Sequence, residues 1–120
     1  MSFRRVLAVL AVVAVVVGIG ASSVLAAQNS TKKTVVKVSA LDALKFTLSA
    51  KAAKAGVVSF VVTNKGKLSH DFKIAGKKTP LLSAGKSSTI TVTLKKGKYV
   101  YMCTVPGHAA AGMKGTFVVS

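Results

Sequence analysis

The chain has 120 residues, one cysteine, ten glycines, two prolines and no tryptophan, a length that allows one domain at most. Lysine and arginine number 18 against two acids, Asp42 and Asp71, with no glutamate, for a net charge of +16. Both arginines stand at positions 4 and 5 and most aromatics alternate as in strands, which argues against nucleic-acid binding, since phosphate clamps favour arginine and stacking platforms need exposed rings.

Arg4 and Arg5 precede a continuous apolar run from Val6 to Ile19, and Val24-Leu25-Ala26 fits the small-x-Ala cleavage pattern. Residues 1–26 therefore read as a secretory signal peptide, cut after Ala26 or Ala27. The competing reading is an uncleaved membrane anchor, for which the run is short. The protein is expected to be exported, to a periplasmic or extracellular, cell-surface location, with contact to a membrane only through a retained leader. Paired arginines hint at twin-arginine export, but the usual Phe-Leu does not follow them. No cysteine follows the leader, so a lipid-anchored cysteine is excluded.

Residues 27–33 form a polar tether, and the domain proper is expected over 34–120. A first strand begins at Val35 to Val38. Lys45-Phe46-Thr47-Leu48 is a second strand, or an irregular link into one, and 51–54 reads as a turn closed by Ala55-Gly56. Over 57–63, Val58, Phe60 and Val62 share one face, and Asn64-Lys65-Gly66 turns the chain. A strand is predicted over 70–74, with His70, Phe72 and Ile74 on one face and Asp71 and Lys73 on the other. Residues 76–86 form a loop. Thr89 to Leu94 is a half-buried strand with threonines out and Ile90, Val92 and Leu94 in. After a turn at 95–98, strands follow over 99–103 and 115–119. Short strands between turn signals, with no useful helical period, predict an all-β sandwich, its core drawn from Phe46, Phe60, Phe72, Ile90, Val92 and Phe117.

The chemistry concentrates in Tyr101-Met102-Cys103-Thr104-Val105-Pro106-Gly107-His108-Ala109-Ala110-Ala111-Gly112-Met113. Four residues separate Cys103 from His108 and four more separate His108 from Met113. The other histidine, His70, lies in Ser69-His70-Asp71-Phe72. Taken singly, a cysteine is usually a small buried hydrophobe and a methionine gap-filling core. Taken together, one Cys, two His and a weak Met are the ligand set of a blue-copper site. Zinc, the main competitor, has little use for a thioether, and a binuclear copper centre would want a second cysteine. A single free thiol is also a liability in an oxidising compartment, which ligation would remove. Gly107 and Gly112 free the loop backbone and Pro106 stiffens it.

These residues resemble the cupredoxin, type 1 blue copper family, and within it the small plastocyanin-like and auracyanin-like domains. The resemblance covers roughly 34–120 and is densest over 98–118. It implies a cupredoxin-like Greek-key β-sandwich, with one copper ion held by His70, Cys103 and His108 as strong ligands and Met113 as the axial one. The chain departs from the family twice. Many relatives carry Asn after the first histidine, where this chain has Asp71, which could accept from the Thr104 hydroxyl or a backbone amide of the cysteine loop. Plant-type plastocyanins carry a tyrosine before the cysteine, a lateral electron exit beside acidic residues. Met102 stands there instead, so the edge of His108 becomes the expected electron port.

The leading expectation is a monomeric one-electron carrier, not an enzyme, whose redox partner proteins offer acidic docking surfaces. A copper-handling chaperone or store is the alternative, though clusters of Met or His are missing. A third reading is an adhesive exported β-domain without copper. Lys65, Lys67 and Lys114 are expected to rim the copper end, and Lys77, Lys78, Lys95 and Lys96 to sit at the far end.

Overall fold

The computed structural model describes residues 33–120; the expected signal peptide and all of the tether but Lys33 lie outside the described residues. Strand β1, Lys33–Leu41, alternates as its sequence demands: Val36, Val38 and Ala40 are buried while Val35 and Lys37 face water. It pairs antiparallel with β2, Lys45–Leu48, and parallel with the long strand Gly56–Asn64. That long strand is β4, because a two-residue strand, β3 (Ala52–Ala53), precedes it. β7, Ser87–Leu94, closes the first sheet antiparallel to β4, giving the order β2-β1-β4-β7.

The second sheet is built around β8, Gly97–Met102, and β9, Lys114–Val119, paired antiparallel. β3 joins β9 in parallel, and β5 (Lys73–Ile74) with β6 (Lys77–Lys78) extends the other edge, in the order β3-β9-β8-β5-β6. Among the described residues there is no helix. The expected all-β sandwich is the fold found. Its core joins Val36, Val38, Val58, Phe60 and Val62 of one sheet to Ile74, Tyr101, Phe117 and Val119 of the other, with Phe72, just before β5, between them. Phe60 packs on Phe117 and Phe72 at ring distances of 5.2 and 5.4 Å, and Phe46 meets Phe72 edge-on at 5.2 Å. Burying each such ring is worth about 1.5–3 kcal/mol, so these phenylalanines are a main adhesive between the sheets.

Three local expectations are corrected. The turn predicted at 51–54 contains β3, because two alanines carry no alternation to read. The loop predicted at 76–86 begins with a tight hairpin: Ala75 (φ 50°) and Gly76 (φ 78°) both adopt the left-handed conformation that joins β5 to β6. Alanine is a poor signal for such a turn, so the sequence hides it. The strand predicted at 70–74 shrinks to Lys73–Ile74, and His70 instead makes an isolated antiparallel bridge with Leu82. Alternation fails there because Asp71 is buried along with His70 and Phe72.

The hairpin also moves two lysines. Lys78 pairs with Lys73, Lys73 with Met102, and Met102 with Lys114. Partners directly opposite point to the same side of a sheet, so three exposed lysines and half-buried Met102 form one row across four strands. Lys78, and with it Lys77, is therefore beside the C-terminal end of β8, next to Cys103, and not at the far end with Lys95 and Lys96.

Candidate metal centre

Cys103 follows the last residue of β8. Counting back by twos, Tyr101 and Tyr99 share its inward side, and Cys103 and Tyr101 are buried. The chain then turns through Thr104 to Gly112 and returns to β9. Its bonds are local: His108 N–H donates to Val105 O at 3.0 Å, Ala111 N–H to Gly107 O at 3.1 Å, and Met113 N–H to His108 O at 3.0 Å. Cys103 N–H donates to Met113 O at 3.1 Å and shuts the loop. Gly107 (φ 84°) and Gly112 (φ 119°) take backbone conformations that strain any other residue.

The loop brings its side chains to a common point. Ligand atoms of His70, Cys103 and His108 all lie within 4.8 Å of one another. Cys103 Sγ is 3.6 Å from His108 Nδ1, and the two imidazole rings are 5.1 Å apart. Met113 is fully buried and shares a small apolar cluster with Cys103 and Ala40, against which Leu44, Phe46 and Val105 pack. His70 is fully buried; His108 is half-buried.

His70 Nε2 lies 3.1 Å from Asp42 Oδ1, whereas His70 Nδ1 is the one buried side-chain nitrogen or oxygen among the described residues with no hydrogen-bond partner. An orphaned buried polar atom costs about 1–3 kcal/mol, and a metal bond would remove that cost. Burial pushes the Cys103 thiol above its usual range, partly offset by the Asp71 amide, which donates to Sγ at 3.5 Å. A thiol, two imidazoles and a thioether without a carboxylate among them suit copper better than harder cations.

Asp71 does what its place after His70 suggested. Its Oδ1 accepts from Thr104 N–H at 2.6 Å and its Oδ2 from the Thr104 hydroxyl. The segment after the first histidine thus grips the residue after the cysteine.

Residues 26–120 match the model of a family described as copper binding proteins, plastocyanin/azurin family. The chain belongs to that family. It is 51% identical to auracyanin-B of Chloroflexus aurantiacus over 43 residues, 35% of this chain and only 18% of that protein's length. Among solved structures it is similar to auracyanin from Roseiflexus castenholzii (21% identity, TM-score 0.64, covering 76% of this chain and 99% of that one). It is also similar to auracyanin A of Chloroflexus aurantiacus, described as a "blue" copper protein (21%, TM-score 0.66, 74% and 100%). Rusticyanin from Thiobacillus ferrooxidans follows (25%, TM-score 0.63, 76% and 79%). At such identities the auracyanins speak for the fold alone.

For a member of a copper-binding family, the residue that sequence reasoning missed is Asp42. It sits just after β1, and its carboxylate accepts Lys67 N–H at 2.6 Å and Leu68 N–H at 3.0 Å besides facing His70. Those two amides, and to a lesser degree His70, hold its carboxyl below the usual range. Its scarcity was the one available signal: the chain has only two acids, and both bond to segments of the site rather than balance lysines.

Proposed function

We propose that this chain is an exported, monomeric one-electron carrier and not an enzyme. In it, copper would be held by His70, Cys103 and His108, with Met113 as a fourth and weaker donor. The observation that carries the reading is the convergence of ligand atoms from His70, Cys103 and His108 within 4.8 Å, together with an orphaned buried nitrogen on His70, in a copper-binding family member. A copper ion so held supplies reversible one-electron exchange between Cu(I) and Cu(II).

The protein's own residues account for the rest. Half-buried Phe46, Leu44 and Val105 pack around buried Cys103 and Met113 and help keep water from the thiolate. Asp42 and Asp71 fix the two ligand segments, so little has to rearrange when charge changes. Pro106, Gly107, Ala110 and Ala111 are exposed, small and uncharged around half-buried His108. A partner can therefore approach the His108 edge without desolvating charge, which is costly. The lysine-rich surface favours a partner of opposite charge. The domain is assigned to 34–120, behind a signal peptide over 1–26 and a tether over 27–33.

The test is a visible spectrum of the purified protein with Cu(II). An intense thiolate-to-copper band that bleaches with one electron and returns on oxidation supports the carrier. Colourless retention of Cu(I) that resists oxidation indicates copper handling instead, and no uptake of metal overturns both.

A further inference from the structure

Asp42 and His70 are 28 positions apart, yet several elements combine to place one against the other. Buried Asn64 donates from Nδ2 to Leu68 O at 2.7 Å and to Leu82 O at 2.8 Å, and its Oδ1 accepts Gly66 N–H at 2.8 Å. Lys65 N–H reaches Ala40 O in β1 at 2.9 Å. The loop 65–68 is thereby pinned against the end of β1, where Lys67 and Leu68 offer their amides to the Asp42 carboxylate. Gly66 is what leaves room. Its backbone is not in the left-handed region, but a methyl group there would run into the Asp42 carboxylate and come within 3.0 Å of Asp42 N.

A carboxylate that already accepts two amides can only accept a third bond from His70. The proton of neutral His70 therefore sits on Nε2, and the lone pair is left on Nδ1, the atom that has no protein partner. Such a carboxylate raises the donor strength of its imidazole and fixes its ring. It also places a negative charge next to the metal end. Both effects favour the more highly charged oxidised ion.

We infer that Asp42 is a positioning residue, admitted by Gly66, which locks His70 in the Nε2–H form and biases the centre toward Cu(II), lowering its reduction potential. The inference rests on the copper reading above. Asp42 is 38% exposed, so solvent screens part of the effect. The expected loss lies at the low end of the 10–100-fold usual for a partner of a metal-bound histidine.

The experiment compares wild type with Asp42→Ala, Asp42→Asn and Gly66→Ala. With Cu(II) alone as probe, wild type should show the thiolate band, and all three variants should keep it. Asp42→Ala should bind Cu(II) about tenfold more weakly with less change for Cu(I). A tenfold difference between the two states appears as a rise of about 59 mV in potential. Asp42→Asn should fall between, and Gly66→Ala should move the same way. Combining Gly66→Ala with Asp42→Ala should add little, since both act through one carboxylate. The metal-free protein gives an independent readout: the ring nitrogen shifts of His70 should report the Nε2–H form in wild type and a mixture in Asp42→Ala. Should Asp42→Ala fail to fold, Asp42→Asn and Gly66→Ala carry the same comparison. A blue wild type whose variants leave potential, Cu(II) affinity and ring shifts unchanged overturns the inference alone and makes Asp42 a loop brace. A wild type that takes up no Cu(II) overturns the copper reading, and the inferred bias toward Cu(II) with it.

Discussion

The two histidines reach the same point by opposite constructions. His108 stands on a loop whose backbone bonds mostly join residues three to five apart, hinged by two left-handed glycines and open to solvent on one side. His70 is fully buried and clamped by groups from distant parts of the chain: Leu82 on its backbone, Asp42 on its ring, and Thr104 on the neighbouring Asp71. One half of the site is a mouth and the other a wall. The contrast suggests how a metal could be held rigidly while remaining close to a partner: the wall resists rearrangement and the mouth provides access.

The sharpest break separates the site from the core that carries it. Cys103→Ser should abolish the visible band outright, because the transition needs a thiolate. The sandwich should survive, since Cys103 belongs to a small cluster apart from the main core. A buried hydroxyl in its place costs about 1–3 kcal/mol, against about 3–5 kcal/mol for Phe60→Ala in the main core. Phe60→Ala should therefore lose the larger part of the stability and keep the colour. Visible absorption and thermal unfolding of both variants check this, and a Cys103→Ser protein that stays blue removes the ligand assignment.

Wall and mouth can then be told apart directly. His108→Gly leaves a gap at a half-exposed position, so free imidazole should enter and restore a visible band. His70→Gly leaves a gap at a position with 0% exposure, behind Asp42 and Leu82, and the same imidazole should restore little. Titrating imidazole into each Cu(II)-treated variant measures the difference. Equal rescue would mean that the wall opens as easily as the mouth.

A smaller effect should come from Met113. A weak thioether is one control on potential. Met113→Leu removes a donor and should raise the potential, while Met113→Gln offers a harder oxygen and should lower it. Voltammetry of the pair checks the signs. If neither variant shifts, Met113 serves only the packing with Ala40 and Cys103.

The mouth was legible because it is contiguous: three ligand types on one short segment, behind strand alternation that put Cys103 inward, leave few alternatives. β1, β2, β4, β7, β8 and β9 were legible for the same reason, since each is long enough to show a period or is bounded by turns. The wall was legible only as His70 and Asp71. Asp42, Gly66 and Asn64 act through space, and no spacing rule links a carboxylate to a ring 28 residues on. β3, β5 and β6 have two residues each, too few for any period. The lysines were misplaced through that same gap, because the β5–β6 hairpin decides where Lys78 lies.

That placement gives the subtlest prediction. Lys73, Lys78 and Lys114 share a row with Met102, the residue before Cys103. Strands lie about 4.8 Å apart, so the row spans roughly 14 Å. Among the described residues no salt bridge neutralises these lysines, and Asp42 faces the His70 ring instead. Lys73 and Lys78 even face each other across strands, a mildly unfavourable like-charge pair. Lys54, Lys95 and Lys96 carry the same charge near the opposite end of β8, about 20 Å away at 3.3 Å per residue. That is more than twice the Debye length of roughly 8 Å at physiological salt. If an acidic partner approaches the metal end, Lys73→Gln, Lys78→Gln and Lys114→Gln together should slow bimolecular electron transfer by roughly tenfold at low salt, the lower end of steering effects, and flatten its decline with ionic strength. Lys54→Gln, Lys95→Gln and Lys96→Gln together should do much less. Stopped-flow rates over a range of ionic strength compare the two triples. Equal loss from both would mean that the charge acts as a diffuse field over the whole domain. No change from either would remove the lysines from docking and leave the uncharged rim of His108 to guide the encounter alone.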